Sequence, residues 1–325
     1  MIRLEFAAAD LAGVRFAHSP MVEVVTSASA LTRPTIYPMY GAWRAQVRPR
    51  VAAARLDTFL ALVAGPVHWI PDFLTAVPAQ PRPLLRDELS RILETPLDQV
   101  VPDVLRCWSG HEAPPQIRRF ATDPLGGLRV LTQEIRRYFE IALAPWWPGL
   151  RAAAESEIAQ RARAATEHGP RALVEGLHPT LSWDGASLQI GPRGGPIDDC
   201  GLDGFPLTLF PSGFAGPKIF TMAESPLGRA LFYPPRGAAA LWDRPVREPG
   251  AALSALLGPT RAAVLTLLAV PHSTGEVAAT LGLAAATASH HLTTLRDAGL
   301  IAGARDGRRL RYLRTGLGEQ LGTLA

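Results

Sequence analysis

The sequence predicts an α+β protein, in which a mainly helical N-terminal domain with a small antiparallel sheet precedes a C-terminal module of helices and a β-hairpin. Three observations carry this. Apolar residues recur at helical spacing over most of residues 1–176, and the period changes to alternation over 177–235. From 253 to 314 a series of helix start and stop signals ends in a hairpin signal. The expected domains are therefore 1–245 (helical over 1–176, sheet over 177–235) and 246–325.

Ile2, Leu4 and Phe6 alternate as in a short strand. Ser19-Pro20 joins a capping residue to proline at the first helical position, and Met21, Val24, Val25, Ala28 and Leu31 form that helix's inner face. Pro34, Pro38, Pro49, Pro66, Pro71, Pro78, Pro81 and Pro83 then punctuate the chain. Only short helices are expected there, around 38–47 and 56–64, with a surface loop over 78–83. A second helical group begins at Arg86. Thr95-Pro96 and Asp123-Pro124 repeat the cap-then-proline signal, the first opening a helix to about Trp108. Leu128, Leu131, Ile135, Tyr138, Phe139 and Ala142 mark a long amphipathic helix, and another spans 148–167. The two are expected to pair antiparallel about Pro145-Trp146-Trp147-Pro148. Leu181 and Trp183 before Asp184-Gly185, with Leu188 and Ile190 after it, read as a hairpin. Residues 207–210, 218–221 and 230–233 are further strands of the antiparallel sheet; 237–242 return to helix, and 245–250 form the linker.

In the C-terminal part Pro259 opens a helix whose buried stripe is expected to be Ala263, Leu267 and Val270, with Val264 and Leu268 beside it. Ser273 and Glu276 have the spacing of a capping box and start a short second helix, which Gly282 stops. In the third helix Ala288, His291, Leu292 and Leu295 share one face, and Thr287, Ser289, His290, Thr293 and Thr294 lie mostly on the other. Gly299 suits a left-handed helix terminus, and strands over 300–304 and 309–313 meet through Asp306-Gly307. Helix, helix, tight turn, helix, hairpin is a winged helix-turn-helix. A third helix of this kind fits the DNA major groove, and Thr287, Ser289, His290, Thr293 and Thr294 are its candidate base and backbone contacts. On the hairpin, Arg305, Arg308, Arg309 and Arg311 suit phosphates or an adjacent minor groove. The expected partner is double-stranded DNA, an operator.

The ordered string Ala-Thr-Ala-Ser-His-His-Leu at 286–292, followed by Leu-Arg-Asp-Ala-Gly-Leu-Ile at 295–301, resembles the ArsR family of bacterial transcriptional regulators. The likeness covers residues 253–314. It implies a recognition helix bearing Thr287, Ser289 and His290, a wing from Arg305 to Arg311, and a homodimer acting, by default as a repressor, on a palindromic operator. Two departures matter. Many metal-sensing members carry a cysteine motif on the helix that here runs from 273 to 281; this chain has none there, so metal sensing through that site is not expected. The third helix also starts Ala284-Ala285-Ala286 where relatives tend to place Ser or Gln, which removes a cap worth about 1 kcal/mol and some base-reading groups. Readout is then expected to lean more on DNA shape. In the N-terminal part the Phe-x-x-x-Asp-Leu-Ala run at 6–12, Pro71-Asp72-Phe73-Leu74 and Ala144-Pro145-Trp146-Trp147-Pro148 resemble a domain commonly fused to such modules, which implies an effector-binding or dimerising role. Residues 315–325 are short for a C-terminal pairing helix, so the N-terminal part is expected to supplement the dimer interface.

The net charge of +4 is unevenly divided. Residues 251–325 hold seven Arg against Glu276, Asp297, Asp306 and Glu319, hence +3, which leaves +1 for the other 250 residues. Electrostatic steering toward DNA should be moderate. Lys218 is the only lysine, which with the alanine abundance reads as the mark of a GC-rich genome. Cys107 and Cys200 lie far apart and outside any Cys-x-x-Cys pair, so apolar fillers in a reducing cytoplasm are expected rather than a disulfide framework. The N-terminus carries Glu5 and Asp10 and does not read as a signal peptide, and no apolar run approaches a membrane span. His18, His68, His111, His168 and His178 are scattered, and Gly191-Pro192-Arg193-Gly194-Gly195 lacks the strand-loop-helix context of a nucleotide site. Neither an enzyme nor a cofactor or metal site is expected; the alternative is an enzyme of unknown reaction with the winged helix as an appended regulator. Tyr138, Trp146 and Trp147 are the candidate lining of a pocket for a flat hydrophobic effector.

Overall fold

The chain begins with strand β1 (Ile2–Glu5), helix α1 (Asp10–Gly13), strand β2 (Arg15–Phe16) and helix α2 (Pro20–Thr32). The computed structural model describes residues 2–7, 10–67, 69–191, 198–217, 219–242, 251–269, 271–306 and 309–322, with backbone alone at 240, 251, 252, 305, 306 and 309. The chain divides into two units, Met1–Asp243 and Arg244–Ala325. The expected linker at 245–250 lies outside the described residues.

Helix α2 is the centre of the first unit, and residues 20–30 are buried on every side. Ser19 caps it by accepting the Val22 N–H at 3.1 Å, and Pro20 occupies the first turn, where its missing donor costs nothing. A helix buried all round must satisfy its polar side chains internally. Thr26 and Ser29 donate to the Val22 and Val25 carbonyls, and Glu23 accepts from Ser212 Oγ at 3.0 Å and Gly213 N–H at 2.9 Å.

Next come α3 (Gly41–Ala54), α4 (Asp57–Val63), α5 (Leu85–Glu94), α6 (Leu97–Arg106), α7 (Pro115–Arg118), α8 (Pro124–Tyr138) and α9 (Trp147–His168). Two expectations fail here. The proline pattern predicts a helix ending near residue 47, but α3 continues through Pro49 to Ala54. Trp43, Val47 and Val51 recur at four-residue spacing as its buried face, so the stripe spans the proline and outweighs the one backbone bond that proline removes. The antiparallel pairing of α8 with α9 is also not made. A π turn at Phe139–Leu143 separates them; α8 packs on α4, α5 and α6, whereas α9 packs on the turn Pro170–Leu173 and on strand 207–211. A buried ion pair, Arg161 to Glu157 at 2.8 Å, fixes α9 further, since Arg161 also donates to the Gly176 carbonyl at 2.9 Å.

The remaining strands of this unit are β3 (Leu181–Trp183), β4 (Ser187–Ile190), β5 (Asp198–Gly201), β6 (Leu207–Pro211), β7 (Phe220–Met222) and β8 (Arg229–Tyr233), followed by helix α10 (Ala239–Trp242). They form two mixed four-stranded sheets, β3-β4-β1-β5 and β2-β6-β8-β7, rather than one antiparallel sheet. The β3–β4 hairpin is as expected. Strand β1, however, lies antiparallel to β4 and parallel to β5, and β6 pairs in parallel with both β2 and β8. Every residue of β6 and β8 is buried, the pattern of strands covered on both faces. Cys107 and Cys200 are buried free thiols. Among the described residues no helix is long and apolar enough to cross a membrane.

The second unit contains α11 (Ala251–Leu257), α12 (Pro259–Leu267), β9 (His272–Ser273), α13 (Thr274–Leu281), α14 (Ala285–Asp297), β10 (Ile301–Asp306), β11 (Arg309–Arg314) and α15 (Gly316–Gly322). Its sheet has the order β10-β11-β9. The buried face of α12 is Ala262, Val264 and Leu265, with Leu268 just beyond the helix. Ala263 is exposed and Leu267 half-buried, so the expected stripe is about one residue out of phase; Val270 lies outside the described residues.

Candidate nucleic-acid interface

Local signals position α14. Ser273 N–H donates to Glu276 Oε2 at 2.7 Å and Glu276 N–H donates back to Ser273 Oγ at 3.4 Å, the reciprocal pair that starts α13. Gly282, at φ 63°, ends it in the left-handed region, and the Leu283 N–H closes on the Ala278 carbonyl at 2.9 Å. Helix α14 follows directly. Its N-cap residue Ala284 has extended backbone and supplies no side-chain cap. At the far end Gly299 takes φ 72°, Leu300 N–H donates to Leu295 O at 2.9 Å and Gly299 N–H to Arg296 O at 2.8 Å. This double closure turns the chain into β10.

Between these ends α14 has two distinct sides. Ala288, Leu292 and Leu295 are buried in a core with Val264, Leu265, Val277, Ile301 and Tyr312. Thr287, Ser289, His290 and Thr293 are exposed. Thr294 is half-buried and donates its hydroxyl to the His290 carbonyl at 3.0 Å, which leaves its oxygen free only to accept. His291 stands at the boundary, half-buried, its ring 5.7 Å from that of His290. Partial burial, with His290 and Arg261 adding repulsion, holds its imidazole below the ordinary value, so His291 is neutral at physiological pH.

The wing differs from expectation at one described position. Arg311 approaches Glu276 at 3.5 Å and donates to the Pro271 carbonyl at 3.4 Å. Strand β11 pairs with β9 at Arg311 and Ser273, so this guanidinium ties the base of the wing to the cap of α13 instead of presenting itself for phosphate. Glu276 is held below the usual carboxylate range by the Ser273 N–H first, then by the Ser273 hydroxyl, with Arg311 contributing. Arg314, which the sequence pattern does not single out, donates to the Leu265 carbonyl at 2.7 Å and the Thr266 carbonyl at 2.9 Å. A cation there closes the C-terminal carbonyls of α12 and opposes its negative end. Its alternation with buried Tyr312 is the available signal. In the ladder Arg305 pairs with Leu310 and Asp306 with Arg309; Arg308 and the side chains of Arg305 and Arg309 lie outside the described residues.

The effector residues expected in the N-terminal unit do not line one pocket. Tyr138 is completely buried, its hydroxyl 3.0 Å from Ser27 Oγ and its ring centroid 5.1 Å from that of Phe59. It is a core residue that no ligand can touch. Trp147 is half-buried and stacks on His18 at 4.9 Å, and Trp146 is half-buried beside it. Tyr138 continues the buried stripe of α8 with Leu128, Leu131 and Ile135, whereas the tryptophans lie beyond the π turn, at the start of α9. Among the described residues no group of three or more His, Cys, Asp or Glu is arranged to hold a metal ion.

Residues 256–304 match the family model of a helix-turn-helix domain, from the end of α11 into β10. No curated protein and no solved structure matches the chain.

Proposed function

We propose that the chain is a DNA-binding transcriptional regulator of ArsR type, with α14 as the helix that enters the major groove. One observation carries the reading. Ala288, Leu292 and Leu295 of α14 turn to the core, and Thr287, Ser289, His290 and Thr293 stand exposed on a helix anchored at its C-terminal end. Short hydroxyls and an imidazole on a rigid helix suit base edges and phosphates alike. The helix-turn-helix match at 256–304 supports the same assignment. As a homodimer, the regulator would set two such helices about 34 Å apart on a palindromic operator. Repression, relieved by a non-metal ligand of the N-terminal unit, is the working mode, and α11 is the lever. A ligand works that lever only by binding two arrangements of the dimer unequally.

Footprinting on duplex DNA upstream of the protein's own coding region tests this, with Thr287→Ala and His290→Ala as probes. A protected palindrome is expected, and removing a side chain that reads a base should cost about 1–3 kcal/mol of discrimination among sites. Uniform weak binding that neither substitution alters in preference would overturn the assignment of α14.

A further inference from the structure

A cavity of about 670 Å³ opens in the N-terminal unit between α2, the segment 69–75 and strands β5, β7 and β8. This lies within the range of small-molecule sites. Its floor is apolar: Val22 and Val25 of α2, with Met222 and Phe232 from the sheet, are all buried. The two hydroxyls on the same helix face, Thr26 and Ser29, already donate to carbonyls of their own helix at 2.7 and 3.0 Å. The floor therefore offers no free hydroxyl proton to an anion.

The rim is acidic. Asp198 and Glu224 are exposed there, and Asp72 is half-buried further in. A second cavity of about 280 Å³ shares Trp69, Asp72, Arg106 and Pro226 with the first and adds Asp98 and Asp103. Arg106 is the one basic side chain among the described lining residues of both. It is already engaged, its guanidinium carbon 3.6 Å from the Trp69 ring centroid, while Trp69 donates to Asp103 at 2.7 Å. Three carboxylates thus line the larger cavity against one cation, Arg106, with Asp98 and Asp103 in the smaller cavity beside it. They do not converge as a metal cage does, since no described group of acidic residues has that arrangement.

We propose that this cavity binds a lipophilic organic cation, its apolar body against Val22, Val25 and Phe232 and its positive charge at the Asp72, Asp198 and Glu224 rim. An anion of the same shape meets repulsion at every rim position. A neutral molecule adds no positive charge beside the half-buried Asp72, whose carboxyl burial pushes above its ordinary value even though the Ser225 hydroxyl and Arg106 act the other way. The site needs no DNA. Only its consequence, that such a cation is the effector, rests on the regulator reading.

Titration calorimetry of the full chain without DNA tests the proposal, with tetraphenylphosphonium and tetraphenylborate as probes of one shape and opposite charge. The phosphonium should bind roughly tenfold more tightly or better, as several carboxylates acting together require. Asp198→Asn and Glu224→Gln, both at exposed positions, should each weaken it about threefold, the attraction of unit charges about 6 Å apart in water. Ala223→Phe, at a half-buried lining position, should abolish binding, and thermal melts confirm that the variants fold. Equal or tighter binding of the borate, no binding of either probe, or rim variants without effect would each overturn it. A chain that fails to bind any DNA would sink the regulator reading and leave this result standing.

Discussion

Replacing Ala284 with serine should stabilise the C-terminal unit. The backbone at this position, φ −64° and ψ 143°, is already in the extended region of an N-cap, and no side chain caps α14. Two other helices show what a serine does in that place: Ser19 accepts the Val22 N–H at 3.1 Å, and Ser273 accepts the Glu276 N–H at 3.4 Å. By the same three-residue offset the introduced hydroxyl would accept from the Thr287 N–H. Ala284 is exposed, so the change disturbs no packing. A cap of this kind is worth about 1 kcal/mol. For a unit the size of Arg244–Ala325 that is roughly 4–8 °C in the midpoint of unfolding. Far-UV circular dichroism of the full chain measures the shift. All seven tryptophans precede residue 243, so their fluorescence reports the other unit and serves as an internal control. A circular-dichroism midpoint that stays put or falls would refute the claim that α14 begins uncapped.

The wing arginines should separate by role. Arg308→Ala and Arg309→Ala should each lower the slope of log affinity against log salt by about 0.9, the share of one neutralised phosphate. Arg311→Ala should leave the slope unchanged, because its guanidinium sits between Glu276 and the Pro271 carbonyl; an equal drop in anisotropy titrations over a salt series would contradict that placement. Cys107 is fully buried, and burial pushes its thiol up to about 12. Near pH 8 only roughly one part in 10⁴ is thiolate, so iodoacetamide should leave Cys107 unmodified in the native chain and label it after denaturation. Mass spectrometry reads the difference, and rapid native labelling would show that the site opens readily.

Where a signal is local, the sequence is legible. Ser19-Pro20, Asp123-Pro124, the Ser273–Glu276 box, Gly282 and Gly299 each act within a few residues, and each is found doing what its chemistry requires. The division of α14 into Ala288, Leu292 and Leu295 against Thr287, Ser289 and His290 can be read because a single helix carries both faces. Two local signals fail, since Pro49 does not end α3 and Thr95 does not cap α6, but the other failures are non-local. Strand β2 is two residues long and joins β6 across almost two hundred residues of chain, which no periodicity reveals. Arg311 escapes a sequence reading because charge on a hairpin says nothing about a carboxylate that the fold brings beside it. The cavity is invisible for the same reason: its lining comes from residues 2–29, 69–106 and 198–232.

The burial of α2 sets how its cavity can respond. Ser19 and Met21 are bonded to Glu88 of α5, Ser27 to Tyr138 of α8, and Glu23 and Thr26 to Ser212 beyond β6. Sliding or turning this helix breaks several of those links at once, so the α2 side of the cavity behaves as an anvil. An arriving guest must push on the opposite wall, where β7 holds to β8 by only three paired residues. Phe220, Thr221 and Met222 are accordingly the side of the chamber expected to yield when it fills, and a spin label or amide-exchange probe placed there tests for occupancy.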